Sequence, residues 1–217
     1  MSKPKIELQQ IYIRDRQEWR DWLTQNGSTS PGIWLVYYKV TTGKPSVKYT
    51  DAVKEALCFG WIDSKAKSID AERYMQMFTP RKSKSVWSKL NKSYIEELIE
   101  LGLMAEAGLQ KIQMAKADGS WTTLDAIEEL VVPIDLQTAL ETSDAASSYF
   151  EQASNSTKKS LLFWVESAKR QETRAKRIAQ LVESAAENKN PVDRNAPLVS
   201  TARLVTQKGT SNGTTQS

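Results

Sequence analysis

The stretch Gly32-Ile-Trp-Leu-Val-Tyr-Tyr-Lys-Val40 decides the fold that this sequence predicts. Its β-branched and aromatic residues indicate a strand in the middle of a sheet. Residues 61–65 and 69–78 have a similar composition and are separated by a short turn. Strands that are joined by short turns pair in antiparallel fashion, so we expect a small antiparallel sheet.

Helices are predicted on both sides of the first strand. Before it, a capping box at Asp15 and Glu18 precedes apolar residues at helical spacing over 19–23. After it, a second helix is predicted to end near Gly60. From residue 87 to residue 187 the apolar residues recur at helical spacing throughout, with breaks at glycine and proline.

These elements predict an α+β fold, in which a small antiparallel sheet with flanking helices is followed by a helical C-terminal subdomain. We expect residues 1–121 to form an α+β N-terminal domain and residues 122–187 to form a helical C-terminal domain. After residue 187 the composition shifts to Asn, Thr, Ser, Gly and Pro, with few large apolar side chains. Such a composition buries too little surface to order the chain, so residues 188–217 are predicted to be a disordered tail.

The composition excludes several kinds of chemistry. The 217 residues contain no histidine and a single cysteine, Cys58. The chain therefore offers no histidine-dependent nucleophile, no histidine-ligated metal and no internal disulfide. Cys58 stands between Leu57 and Phe59, which favours a buried, inert thiol. No phosphate-binding glycine motif occurs, no cofactor is implied, and no group of side chains is diagnostic of an enzyme.

The apolar runs are short. The longest covers residues 33–38, whereas a membrane-spanning helix needs about 18–20 apolar residues. Residues 1–10 contain no apolar segment of the kind found in a signal peptide. We therefore expect a cytoplasmic protein that does not insert into membranes, and the sequence predicts no particular oligomeric state.

The net charge of +4 is concentrated in two places. Residues 188–217 carry four basic residues and one acidic residue. Residues 79–92 carry five basic residues and no acidic one, and acidic residues follow directly after them. A basic cluster on one surface favours an anionic partner, either a small molecule or a nucleic acid.

Candidate binding residues are densest in residues 56–64 (ALCFGWIDS) and 78–91 (FTPRKSKSVWSKLN). Strand alternation places Trp61 and Asp63 on the same face. If a helix begins at Ser88, its free N–H groups add to the guanidinium of Arg81 and to nearby hydroxyls. Such a group of donors suits phosphate, sulfate or carboxylate. The candidate ligand-binding residues are Trp61, Asp63, Arg81, Ser85, Trp87, Ser88 and Asn91.

Three interpretations of these residues remain open at this stage. In the first, they form an anion-binding pocket with Trp61 and Trp87 as walls. In the second, Asp63 and Arg81 form a structural ion pair, the tryptophans belong to the core and the lysines are solvated. In the third, residues 79–92 and the basic tail associate with nucleic acid.

The same two stretches, together with residues 168–178 (AKRQETRAKRI), resemble the YdeI/OmpD-associated, or bacteriocin-protection, family. The likeness extends from about Trp19 to Val182. It implies a small bacterial α+β protein of undefined molecular activity that is linked to stress and bacteriocin resistance.

Overall fold

The computed structural model describes residues 7–192, and in these residues it contains one four-stranded sheet. The strands are β1 (Gln9–Tyr12), β2 (Ile33–Tyr38), β3 (Trp61–Ser68) and β4 (Arg73–Pro80), in the spatial order β1-β2-β4-β3. β4 is antiparallel to both β2 and β3, as the short β3–β4 turn requires. The three strands predicted from the sequence are therefore present.

The predicted antiparallel sheet is nevertheless a mixed sheet, because β1 pairs with β2 in parallel orientation. The helix between these two strands carries the chain back to the end of the sheet at which it started, and this kind of connection makes neighbouring strands parallel. β1 is not predicted from the sequence, because its four residues, Gln-Gln-Ile-Tyr, contain no apolar run and three of them are exposed. The α+β class itself is confirmed.

The described residues contain nine α-helices. They are α1 (Arg16–Asn26), α2 (Tyr49–Cys58), α3 (Lys89–Glu100), α4 (Glu106–Ala117), α5 (Asp125–Glu128), α6 (Ile134–Leu140), α7 (Asp144–Gln152), α8 (Asn155–Glu166) and α9 (Gln171–Ala186). The predicted N-cap of α1 is confirmed, since the side chain of Asp15 accepts the N–H of Glu18 at 2.9 Å. None of these helices has the length and apolarity that crossing a membrane would need.

The buried apolar residues form two clusters that follow one another along the chain. The first lies between one face of the sheet and helices α1 to α4, with Trp19, Trp61 and Phe78 among its fully buried side chains. Each such aromatic side chain contributes about 1.5–3 kcal/mol on burial. The second cluster is built by α5 to α9, around Leu136 and Leu181.

The two clusters meet at the loop before α3. Trp87 belongs to the first cluster, whereas its neighbour Val86 packs against the second. Along the chain, the buried residues of the first cluster end at Ala115 and those of the second begin at Leu124. The division into two domains after residue 121 stays a prediction. Of the predicted tail, Val192 is buried in the second cluster, and residues 193–217 lie outside the described residues.

Candidate functional site

The candidate site lies at the corner where β4 ends beside the start of β3. The N–H of Arg81 donates to the carbonyl oxygen of Gly60 at 2.9 Å, which continues the β3–β4 pairing beyond Pro80. Gly60 has a φ of +72°, and a Cβ at this position would lie 2.6 Å from Cγ of Lys111 and 3.0 Å from the carbonyl oxygen of Ala107. The glycine therefore allows α4 to cross the corner closely and brings Lys111 beside Arg81.

A shallow surface depression opens at this corner. It is lined by the loop that follows β4, by α4 and by the turn after α4, and we call it the basic depression. Four of its lining side chains are cationic and one is acidic: Arg81, Lys82, Lys84, Lys111 and Asp118. Cationic side chains thus outnumber acidic ones by four to one in this lining.

Arg81 is the most constrained of these side chains, with only 2% of its surface exposed. Its Nη1 donates to the carbonyl oxygen of Val86 at 3.1 Å and to Oγ of Ser85 at 3.4 Å. Its guanidinium carbon lies 3.5 Å from the centroid of the Trp87 ring, in a cation–π contact. The other two nitrogens, Nε and Nη2, are buried and have no hydrogen-bond partner among the described residues.

These two unpartnered nitrogens form one complete edge of the guanidinium. The N–H groups of Nε and Nη2 point in the same direction, so the edge can bind two oxygens of one anion at once. The same edge is occupied elsewhere in this chain: in Arg174, Nε and Nη2 contact the two carboxylate oxygens of Asp135 at 2.6 and 2.9 Å. Arg81 therefore presents the edge that Arg174 uses for a carboxylate, but no acceptor from residues 7–192 lies on it.

Burial changes the energetics of the Arg81 charge. It lowers the pKa of Arg81 to about 9, and the negative charge of Asp63 opposes this shift. The guanidinium is still protonated at neutral pH, because that value lies well above 7. A buried cation with two unsatisfied N–H groups is destabilising, typically by a few kcal/mol, unless an anion or another acceptor meets it.

Three lysines around Arg81 make no close ion pair with the described residues. They are Lys82, Lys84 and Lys111, whereas Lys92 of the same basic stretch contacts Asp125. Asp118, the single carboxylate of the lining, lies near Lys84 and cancels only part of the positive potential of the depression.

The loop that carries two of these lysines is held in place by Asp118. Lys84 has a φ of +58°, a strained value for a residue with a side chain. Its N–H donates to Oδ2 of Asp118 at 3.1 Å, and the N–H of Ser120 donates to Oδ1 of the same carboxylate at 2.9 Å. The neighbouring Ser120, through its hydroxyl and its backbone N–H, lowers the pKa of Asp118, and the Lys84 N–H adds to this effect. Asp118 therefore stays ionised and fixes the loop to the end of α4.

Three of the seven predicted ligand-binding residues line the basic depression: Arg81, Ser85 and Trp87. Trp61 instead lies in the first core cluster, where its Nε1 donates to the carbonyl oxygen of Gly27 at 3.0 Å. Ser88 caps α3 by accepting the N–H of Asn91 at 3.2 Å, and Asn91 is buried in that helix. The predicted helix start at Ser88 is confirmed, but its side chain serves the helix and does not line the depression.

Asp63 belongs to a polar group inside the core. Its Oδ2 accepts from the hydroxyl of Tyr49 at 2.7 Å and from Nε2 of Gln76 at 3.1 Å. Burial, together with the charge of Asp63, raises the pKa of Tyr49 well above its ordinary value. Tyr49 therefore remains a protonated donor to Asp63, and both side chains act in the core.

The sequence analysis missed the contribution of α4 to the site. Lys111, Met114 and Asp118 lie about 30 residues beyond Arg81 and belong to no motif. The only local sign of this contact is Gly60, because a glycine between a helix and a strand can allow another element to approach closely. The approaching element itself was not readable from the sequence.

Another buried charge among the described residues, that of Glu55, is fully paired. Glu55 is 2% exposed and accepts from Nε of Arg16 and from Nη1 of Arg20, both at 2.6 Å. Nη2 of Arg20 donates to the carbonyl oxygen of Leu103 at 2.7 Å. Because every contact here joins elements of the first cluster, the Glu55 group is structural. The carboxylate of Glu55 thus has hydrogen-bond partners on both oxygens, whereas Nε and Nη2 of Arg81 have none among the described residues.

Cys58 is buried, as predicted, and burial raises the pKa of its thiol to about 11. No group of three or more cysteine, aspartate or glutamate side chains among residues 7–192 is placed to hold a metal ion.

Two family models match the chain, one in each half. Residues 129–188 match the family described as bacteriocin-protection, YdeI or OmpD-associated. The predicted family resemblance is confirmed over these residues. Residues 11–111 match a domain of unknown function, DUF8412. No curated protein and no solved structure matches the chain.

The YdeI/OmpD-associated region comprises helices α6 to α9 and includes the stretch 168–178 that suggested the family. The stretches 56–64 and 78–91 fall instead within the DUF8412 region. Arg81, Lys82, Lys84 and Lys111 therefore all lie outside the YdeI/OmpD-associated match, and the basic depression has to be interpreted from its own geometry.

Proposed function

We propose that the protein binds a small oxyanion in the basic depression, with Arg81 as the principal contact. The observation that carries this proposal is the Nε–Nη2 edge of Arg81, which is buried and has no hydrogen-bond partner among the described residues. A guanidinium edge of this kind is matched by the paired oxygens of phosphate, sulfate or carboxylate. The surrounding lysines, which make no ion pairs with the described residues, also favour an anion at this position.

Each part of the depression has a separate role in binding. Trp87 supports one face of the guanidinium, and the bonds of Nη1 to Ser85 and Val86 fix its rotation. The guanidinium is therefore held in one orientation before the anion arrives, which reduces the entropy lost on binding. Its surroundings are poorly solvated, so a charge-assisted hydrogen bond there is stronger than one at an exposed site.

The edge is buried, so an anion reaches it only when neighbouring residues move. The adjacent loop of Lys82, Ser83 and Lys84 is exposed, and its movement has to break the hydrogen bond from the Lys84 N–H to Asp118. The two lysines of this loop add positive charge near the bound anion.

Thermal unfolding in phosphate tests the proposal. At ten times its dissociation constant, an anion that binds only the folded protein stabilises it by about 1.4 kcal/mol. For a chain of this size that raises the Tm by roughly 3–6 °C. We expect this rise at millimolar phosphate, and no such rise in sodium chloride of matched ionic strength.

Two variants make the test specific. Arg81→Lys keeps the charge but loses the two-point edge, so it should weaken the phosphate effect about tenfold. Lys67→Ala removes an exposed charge from β3, away from the depression, and should leave the effect unchanged. Equal phosphate responses of the wild type and Arg81→Lys would refute the proposal.

Nucleic-acid association through residues 79–92 and the basic tail is the alternative proposal. It is less well supported, because Lys92 contacts Asp125 and the N–H of Lys89 faces Glu128 at 3.4 Å. The two proposals differ in salt dependence. Binding to about six phosphates of a nucleic acid should weaken by roughly 10³ or more between 50 and 200 mM salt, whereas binding of one small anion should weaken far less.

A further inference from the structure

One wall of the basic depression is apolar. Met114 and Ala115 of α4 contribute to it, and Trp87 closes it from the inside. Of these three side chains only Met114 is exposed, with 50% of its surface accessible, whereas Trp87 and Ala115 are buried. An unbranched, polarisable methionine adapts to apolar partners of varied shape. An inorganic anion at Arg81 would leave this wall in contact with water, whereas an apolar substituent on the anion would cover it.

The charge of the depression indicates which anion is favoured. Four cationic side chains and one carboxylate give the lining a formal charge of +3. A phosphate monoester carries about −1.5 to −2 at neutral pH, because its second pKa is near 6. A carboxylate carries a single negative charge. The monoester therefore offsets more of the positive potential and still offers two oxygens to the Arg81 edge.

From the exposed Met114 and the charge of the lining we propose that the basic depression takes a small phosphate monoester whose short apolar group packs against Met114. This inference rests on the proposed anion-binding function and specifies its ligand class. Arg81 and the lysines hold the phosphate, and the α4 wall selects for the organic group.

Calorimetric titration with a series of simple anions tests the inference. The series consists of inorganic phosphate, methyl phosphate, phenyl phosphate, benzoate and adenosine monophosphate at matched ionic strength, with phenol as the uncharged control. We expect phenyl phosphate to bind about tenfold more tightly than inorganic phosphate, since part of its ring is removed from water. Methyl phosphate should fall between the two. Benzoate should bind more weakly than phenyl phosphate because it carries a single negative charge. Adenosine monophosphate should also bind more weakly, because its phosphate carries a polar ribose, and phenol should not bind.

A matched pair of variants assigns the preference to the apolar wall. Met114→Ser should reduce the preference for phenyl phosphate over inorganic phosphate, measured within that variant, from about tenfold to less than about twofold. Ile99→Ser is the control, because Ile99 is also 50% exposed but lies on α3, outside the lining. It should leave the tenfold preference intact.

The possible results separate this inference from the proposal beneath it. Binding of inorganic phosphate with no preference for phenyl phosphate would overturn the ligand class and leave the anion site standing. Tighter binding of benzoate than of phenyl phosphate would also overturn it. If Met114→Ser and Ile99→Ser change the preference for phenyl phosphate equally, Met114 does not select the organic group and the inference is overturned. Failure of every anion to bind would overturn both proposals.

Discussion

Replacing Gly60 with alanine tests the packing that assembles the basic depression. A Cβ at this position would lie 2.6 Å from Cγ of Lys111 and 3.0 Å from the carbonyl oxygen of Ala107. The stem of Lys111 can rotate away, but the carbonyl oxygen belongs to the backbone of α4 and cannot move without the helix. The substitution is therefore expected to push α4 outward from the corner between β3 and β4.

The magnitude follows from two contributions. Alanine at a φ of +72° costs about 1–2 kcal/mol, because the left-handed conformation crowds its Cβ. Overpacking against Lys111 and Ala107 adds about 1–3 kcal/mol. Gly102 provides the matched control, because its φ is +65° and a Cβ there would have nothing within 4 Å. Gly102→Ala should therefore incur only the conformational cost.

Urea unfolding at 25 °C measures the difference between the two variants. We expect Gly60→Ala to be less stable than Gly102→Ala by about 2 kcal/mol, which corresponds to a Tm difference of roughly 4–8 °C. Gly60→Ala should also weaken the response to phosphate, since Lys111 moves away from Arg81. Equal stabilities of the two variants would show that α4 does not pack closely on this corner.

Three further predictions concern other parts of the chain. Glu55→Gln should lower the free energy of unfolding by about 2–3 kcal/mol in urea, because it weakens a buried, doubly paired carboxylate. Glu97→Gln removes an exposed ion pair with Lys54 and should cost less than about 1 kcal/mol. If Glu55→Gln and Glu97→Gln cost about the same, the buried ion pairs of Glu55 are not worth more than an exposed one. The thiol of Cys58, with its pKa raised to about 11, should react with a disulfide reagent at pH 8 only after unfolding in urea, so rapid labelling of the native protein would contradict its burial. Truncation after residue 192 should change the Tm by no more than a few degrees. Truncation after Glu187 also removes the buried Val192 and should lower the Tm further. A large drop in Tm after the first truncation would show that the removed residues are packed.

Local sequence patterns predicted the elements whose causes are local. The N-cap at Asp15, the helix start at Ser88 and the central strand β2 each depend on residues within a few positions of one another. β1 was not predicted, because the pairing that stabilises it comes from β2, more than 20 residues away. The parallel orientation of this pair depends on the path of α1 and is equally non-local.

The candidate site was predictable only in part for the same reason. The basic stretch identified Arg81 and Ser85, since these residues are neighbours in the sequence. The lysine of α4 and the carboxylate that holds the loop join them only through tertiary packing at Gly60. The sequence also allowed an ion pair between Asp63 and Arg81 as a structural interpretation. The structure shows Asp63 hydrogen-bonded to Tyr49, with its charge raising the pKa of Arg81 against the effect of burial.

The Nε–H signal of Arg81 in a nitrogen-15 correlation spectrum provides the most direct measurement of the central claim. Burial protects this N–H from exchange with water, and its signal is identified by its absence from the spectrum of Arg81→Lys. The account predicts a downfield shift that saturates at millimolar phosphate, because a charge-assisted hydrogen bond forms at this N–H, and no shift in a matched chloride titration. A signal that stays in place, or one that moves equally in phosphate and chloride without saturating, would contradict the assignment of Arg81 as the anion-binding residue.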